Sequence, residues 1–219
     1  MEKAPINAPV GYRRPKQDRS EQTSDRILTA ALDLFSQKTF AEVSVIEIAR
    51  KAGVSVGGFY ARFESKEALL NWFDEQLLDR ERVLRTSQFD ESNWKDATIE
   101  EVIHAYLTRG AAYLRKYRSL ISRIALNIRS TTESQQLTRA REFNEAVHAP
   151  FLKLLSARKD QICHPDPEFA IRFALMAVTA AMREQILFGD LRLNPVQTSD
   201  TKLIQECTRM FLNYLGVKD

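Results

Sequence analysis

The sequence contains little cysteine, glycine or proline, and each scarcity excludes a class of protein. Among its 219 residues are two cysteines, Cys163 and Cys207, too few for the disulfide framework of a small secreted domain. Seven glycines and seven prolines exclude a collagen-like or low-complexity chain. The longest nearly apolar run, 173–182, is half the roughly 20 residues of a membrane span, and no secretory signal opens the chain. We therefore expect a folded cytoplasmic protein.

The charge is nearly balanced, but it is unevenly distributed. Lys and Arg number 32 against 29 Asp and Glu, so the net charge of +3 does not by itself indicate a nucleic-acid-binding protein. Residues 1–18, however, contain Arg13 and Arg14 before Pro15 and Lys16 after it, which predicts a flexible basic arm. Such an arm is either a source of phosphate contacts or an ordinary solubilising tail.

Hydrophobic periodicity predicts an all-α protein of nine helices, without strands or internal repeats. The stretch 42–48 alternates like a strand, but Ser44 followed by Glu47 is a capping box, which favours a helix. Asp166 before Pro167 is a second strong start signal. Pro150 is expected to kink the seventh helix. The predicted helices are 25–37, 45–52, 56–63, 65–85, 99–117, 121–128, 137–155, 167–188 and 199–215.

Two of the short helices are joined by a turn typical of a helix-turn-helix. Gly53 is placed to end the second helix in a left-handed conformation, and Ser55 is placed to cap the third. Gly57 and Gly58 then follow, although glycine inside a helix costs about 1 kcal/mol relative to alanine. Either DNA approaches this backbone closely or the third helix packs tightly across the second.

The run IARKAGVSVGGFYARFESKEAL, residues 48–69, resembles the TetR/AcrR family of bacterial transcriptional regulators. The resemblance covers about 19–78, the family's N-terminal helix-turn-helix domain, and implies an effector-binding and dimerisation domain at 79–219. It implies a homodimeric repressor that a small molecule releases from a palindromic DNA operator. An activator or a ligand-independent regulator is the nearer alternative, and a helical enzyme or an interaction module the distant one.

A helix-turn-helix inserts the start of its second helix into the major groove, which here places Val56 near a thymine methyl. Arg62 is the candidate for a guanine or a phosphate. The family generally contacts phosphate at the positions of Tyr60 and Lys66. Many relatives carry a polar residue at the position of Gly58 and His at that of Arg62, so the resemblance does not determine which bases this protein reads. The expected DNA-binding residues are Arg13, Arg14, Lys16, Ser44, Val45, Ser55, Val56, Gly57, Gly58, Tyr60, Arg62 and Lys66.

In the C-terminal domain, Gly110 interrupts an aromatic helix and leaves space. We hypothesise that an apolar or aromatic ligand with one anionic or carbonyl group fills this space and acts through the fourth helix; the alternative is a filled core. The candidate ligand-binding residues are Tyr106, Gly110, Tyr113, Arg123, Asn127, His148, Phe151 and Phe173.

Small residues in the eighth helix allow close packing against another helix. That helix belongs either to a second subunit or to the same subunit. The candidate dimer residues are Ala174, Ala177, Ala181, Met210, Phe211 and Tyr214. The sequence has no nucleophile elbow, phosphate-binding glycine loop or metal-ligand spacing, so no catalytic residue, metal or cofactor is expected.

Overall fold

The chain is helical through most of the part that the structure describes. The computed structural model describes residues 18–122, 125, 135–189 and 198–217. These ranges contain no β-strand, and the prediction of an all-α protein is confirmed. The α-helical segments in them are α1 (Asp18–Gln37), α2 (Val45–Ala52), α3 (Val56–Tyr60), α4 (Lys66–Gln88), α5 (Ile99–Lys116), α6 (118–122), α7 (Gln135–Ser156), α8 (Pro167–Phe188) and α9 (Asp200–Leu215), with short 3-10 helices at Glu91–Asn93 and Lys159–Gln161.

Several helix boundaries differ from those predicted. Helix α1 begins at Asp18, about two turns before the predicted start at Asp25. Helix α3 ends at Tyr60, because the chain turns at Ala61 instead of continuing to Phe63. Helix α7 continues past Pro150 to Ser156, and the kink at this proline stays a prediction.

The chain divides into two compact units, with the division between Glu81 and Arg82. This point lies within α4, and the sequence-based boundary after residue 78 is about one helical turn earlier. Each unit has its own core. In the first, α1 packs on α2 and α2 on α3, and Ile27, Ile48 and Phe59 are completely buried.

In the second unit, α5 packs against α7, α8 and α9 around an aromatic centre. Tyr106 stacks on Phe151 with ring centroids 4.0 Å apart, and Phe151 meets Phe211 edge-on at 6.1 Å. Phe89, at the end of α4, packs edge-on against Tyr106. These four rings are buried and hold the helices that carry them together.

The ends of α8 and α9 are fixed by local signals that the sequence contains. The Asp166 carboxylate accepts a hydrogen bond from the Phe169 N–H, and Pro167 occupies the first position of α8. Gly216 ends α9 at φ 62°, a conformation that favours glycine, and a Cβ there would lie 3.2 Å from the Cβ of Cys163.

Within the described ranges, no helix combines the length and apolar character that crossing a membrane requires. The same ranges contain no group of three or more His, Cys, Asp or Glu side chains arranged to hold a metal ion.

Candidate DNA interface and ligand cavity

Local hydrogen bonds fix the helix-turn-helix as the sequence predicts. The Ser44 hydroxyl accepts from the Glu47 N–H at 3.2 Å, and the Glu47 carboxylate accepts from the Ser44 N–H at 3.0 Å. Gly53 ends α2 at φ 64°. The Ser55 hydroxyl then accepts from the Gly58 N–H at 3.0 Å and starts α3. Every partner is within a few residues, so the three-residue turn is specified by its own sequence.

The carboxylate of Glu47 is ionised throughout the physiological pH range. The Lys38 ammonium donates to it at 2.7 Å, and together with the two donors of Ser44 it lowers the pKa of Glu47 to about 2. The carboxylate therefore remains an acceptor for the capping box at any pH at which the protein meets DNA.

We expect Ser44→Ala to destabilise the protein by about 1 kcal/mol, because the substitution leaves a free N–H at the start of α2 without its side-chain acceptor. Urea unfolding followed by circular dichroism measures this loss. Ser87→Ala, at an exposed position in the last turn of α4, is the matched control and is expected to stay within about 0.5 kcal/mol of the wild type. Equal unfolding midpoints for the two variants would contradict the role of the cap.

Three large apolar or aromatic side chains are exposed on the helix-turn-helix. Val56 and Tyr60 lie on α3, and Ile46 lies in the first turn of α2 with 66% of its surface exposed. Val56 and Tyr60 are among the predicted DNA-binding residues, whereas Ile46 is not. The signal was present, since Ile46 lies off the buried stripe formed by Ile48, Ala49 and Ala52.

The two glycines of α3 have different surroundings. A Cβ at Gly57 would meet only the Ser55 Oγ, at 3.9 Å, so packing within the chain does not require glycine there. A Cβ at Gly58 would lie 3.2 Å from the same oxygen and 3.7 Å from the Val54 Cβ. Tight internal packing therefore accounts for Gly58 better than for Gly57, and the exposed Gly57 leaves the backbone of α3 open to an outside surface.

Lys66 has partners within its own unit. Its ammonium donates to the carbonyls of Phe40 at 2.7 Å and Val43 at 2.8 Å, and it lies 4.3 Å from the centre of the Phe40 ring. These contacts hold the segment between α1 and α2 against the start of α4. The phosphate contact expected of Lys66 stays a prediction, since two of its three N–H donors already have acceptors.

The other predicted DNA-binding residues are divided by exposure. Ser44 and Ser55 are exposed caps, while Val45 and Arg62 are half-buried. The three basic residues of the N-terminal arm lie outside the described residues, namely Arg13, Arg14 and Lys16.

A cavity lies inside the second unit, between α4, α5, α7 and α8. It contains about 570 Å³ of empty space, part of which is continuous with solvent. Most of its wall is apolar or aromatic, formed by Tyr106, Leu107, Gly110, Tyr113, Leu114, Phe143, Val147 and Met182. The polar lining residues are Arg85, Asn144, His148, Thr179 and Arg183.

Arg85 is the buried charge of this cavity. Only 6% of its surface is exposed, and its guanidinium carbon lies 4.9 Å from the centre of the Tyr106 ring. The Tyr106 hydroxyl is hydrogen-bonded to Nδ1 of His148. Burial, and then the positive charge of Arg85, lowers the pKa of His148 to about 4, so this imidazole is neutral at physiological pH.

The structure brings together four of the eight predicted ligand-binding residues, which are Tyr106, Gly110, Tyr113 and His148. Phe151 does not line the cavity, because its ring is completely buried behind Tyr106. Phe173 does not line it either, because its side chain points outward from α8 and is 40% exposed. Arg123 and Asn127 lie outside the described residues.

The outer faces of α8 and α9 share an exposed group of side chains, Phe169, Phe173, Met176, Met210 and Tyr214, which we call the α8/α9 patch. Within it, the Phe173 ring lies 5.7 Å from Phe169 and 5.3 Å from Tyr214, between ring centres.

The predicted dimer residues are distributed over both sides of these helices. Met210 and Tyr214 belong to the α8/α9 patch, Ala181 is exposed and Ala177 is half-buried. The prediction is wrong for Ala174 and Phe211. Their side chains are buried in the core of their own unit, so neither presents a surface to a second subunit.

Residues 27–71, which span α2, α3 and parts of α1 and α4, match the family model for the bacterial regulatory proteins of the tetR family. The chain is also 24% identical over 179 residues to the HTH-type transcriptional regulator YwcC of Bacillus subtilis. The matched region covers 79% of this chain and 80% of that protein.

Solved structures share the fold over both units. A tetR-family transcriptional regulator from Streptomyces coelicolor superposes with a TM-score of 0.64 at 18% identity, over 89% of this chain and 80% of that one. The regulator FadR of Bacillus subtilis, in complex with stearoyl-CoA, superposes with a TM-score of 0.60 at 15% identity, over 89% of this chain and 99% of that one. Residues 27–71 thus form a helix-turn-helix of the tetR family of bacterial regulatory proteins, and the chain is a DNA-binding transcriptional regulator.

Proposed function

We propose that the protein is a homodimeric repressor that leaves a palindromic operator when a small molecule occupies the cavity. The observation that carries this proposal is the presence of both parts in one chain: an exposed helix-turn-helix in the first unit, and a cavity with a mostly apolar wall and a few polar groups in the second. The second feature is typical of small-molecule sites.

The DNA-facing surface in this proposal is the exposed side of α3 with the start of α2. Val56 meets a thymine methyl, and the bare backbone at Gly57 allows close approach. Tyr60, nearly half exposed, contacts a phosphate, as do Ser44 and the basic arm. Ile46 adds apolar contact with the sugars beside the groove.

The ligand part of the proposal has two supports. FadR, which shares the fold, is in complex with stearoyl-CoA, so a subunit of this architecture can hold a small molecule. In addition, Arg85 brings α4 to the cavity wall, and the first residue of α4 is the Lys66 that anchors the segment before α2. A ligand that favours one position of α4 would thereby favour one position of the DNA-reading helices.

Selection of bound duplexes from a random-sequence pool tests the DNA part. We expect an inverted repeat whose half-sites lie about 34–36 Å apart, or near this spacing, because a two-fold protein reads a two-fold site. Enrichment of no sequence, or of a single half-site only, would contradict it.

On the selected operator, Arg62→Ala and Tyr60→Phe separate base reading from phosphate contact. We expect Arg62→Ala to relax the preference at one base pair by about 1–3 kcal/mol, and Tyr60→Phe to weaken binding equally on all sequences. Competition binding against single-base operator variants measures both. The opposite pattern would exchange the two roles.

A further inference from the structure

We infer that the ligand of the cavity is a carboxylic acid with an apolar or aromatic body, and that Arg85 binds its carboxylate. This inference rests on the proposed function, since it names the chemical class of the ligand for the same cavity.

The charged groups of the cavity wall all have one sign. Its thirteen lining residues include two arginines, Arg85 and Arg183, and neither Asp nor Glu. A hydrocarbon ligand would displace water from these guanidinium groups without replacing its hydrogen bonds, and a neutral carbonyl would replace them only with weaker bonds. An anion replaces them with charge-assisted bonds, which are roughly twice as strong as neutral ones.

Arg85 is better placed than Arg183 to determine affinity. Arg183 is an exposed lining residue, so water and salt screen its charge. Arg85 is buried, and its Nη2 lies 3.8 Å from the position of a Cβ on Gly110, in the wall of the cavity. The guanidinium also makes a cation–π contact with the Tyr106 ring. Arg85 has interactions within the protein, but a guanidinium has five N–H donors, so it can bind a carboxylate while keeping some of those contacts.

The neighbours of Arg85 on this wall favour an acid over a phosphate ester. A carboxylate with a single charge matches a single buried guanidinium, and its planar oxygens match the guanidinium fork. His148, neutral and bonded to the Tyr106 hydroxyl, adds a polar group without a second positive charge. The remainder of the wall, with Leu107, Leu114 and Val147, offers contacts for an apolar body only.

The test compares two probes of almost identical shape, naphthalene-2-carboxylate and naphthalene-2-carboxamide, by calorimetric titration of the full chain at pH 7.5. The wild type is expected to bind the acid at least about tenfold more tightly than the amide. Arg85→Gln should reduce this ratio to near one, whereas Arg183→Gln, the matched control at the exposed arginine, should retain most of it.

A second measurement uses only the wild-type protein and remains decisive if Arg85→Gln does not fold. A bound carboxylate offsets the charge of Arg85, which is one of the two causes that lower the pKa of His148. Saturation with the acid should therefore raise the pKa of His148, followed by NMR of its imidazole, while saturation with the amide should not.

The outcomes separate this inference from the proposed function. Equal binding of the two probes, an unchanged acid preference in folded Arg85→Gln, or an unchanged His148 pKa with the acid would overturn the inference and leave a ligand-binding repressor standing. Binding of neither probe at millimolar concentration would overturn the inference and count against the ligand part of the proposed function, while the selected operator would still test the DNA part.

Discussion

Gly110→Phe is expected to abolish ligand-induced release from operator DNA while leaving operator binding intact. Gly110 lies on α5 in the wall of the cavity, and its missing side chain leaves space beside Arg85. A phenyl ring at this position would occupy the volume that the ligand needs. We expect the concentration of ligand required for release to rise by at least about 100-fold, which corresponds to about 2.7 kcal/mol of lost binding free energy.

Gly110→Ala is the matched control for this substitution. A Cβ at Gly110 has Arg85 Nη2 at 3.8 Å as its nearest neighbour, an ordinary van der Waals distance, so a methyl group fits without moving the wall. Alanine also favours the helix by about 1 kcal/mol, so this variant should be at least as stable as the wild type and should keep its response.

Fluorescence anisotropy of labelled operator, titrated with any compound that releases the wild-type protein, compares the three proteins. Thermal unfolding shows whether the larger ring is accommodated, since overpacking in a filled core costs about 1–3 kcal/mol. A Gly110→Phe protein that folds and responds at the wild-type concentration would place the ligand elsewhere.

The helix-turn-helix could be predicted from sequence because its determinants are local. Ser44, Glu47, Gly53 and Ser55 each make the bond or adopt the conformation that their spacing indicates. Hydrogen bonds between residues three positions apart depend little on the remainder of the fold. The residues that define the helix-turn-helix could therefore be predicted almost one by one from the sequence.

The cavity could be predicted only in part, because its wall is assembled from four helices. Gly110 and His148 were found as exceptions within their own helices, a glycine in mid-helix and a histidine beside an apolar stripe. Arg85 and Arg183 were missed, because an arginine near a helix end is usually a solvated side chain. Only the packing of α4 and α8 against α5 and α7 places both at one cavity.

The orientation of α8 was the least predictable feature of the second unit. Phe173 and Ala174 are adjacent, yet Phe173 is exposed and Ala174 is buried. Apolar residues lie on most sides of α8, so no single stripe indicates which of its faces is inside. The subunit's own core selects one face, and the α8/α9 patch is what remains outside.

Phe173→Asp is expected to convert the protein into a monomer at micromolar concentration and to weaken operator binding by about 100-fold or more. Phe173 lies in the middle of the α8/α9 patch, with its ring against Phe169 and Tyr214. A contiguous exposed apolar surface of this kind marks an interface. A carboxylate there would be buried without a partner in the dimer but solvated in the monomer, so it favours dissociation.

The loss of operator affinity follows from valency, since a dimer binds its second half-site at a high effective concentration that a monomer lacks, an advantage of about 10²–10⁴. Val83→Asp is the matched control, because Val83 is 58% exposed on α4 and lies outside the α8/α9 patch. Sedimentation velocity and operator titration should show Val83→Asp as a dimer of near wild-type affinity. A Phe173→Asp protein that sediments as a dimer, or binds the operator as tightly as Val83→Asp, would exclude the α8/α9 patch as the subunit interface.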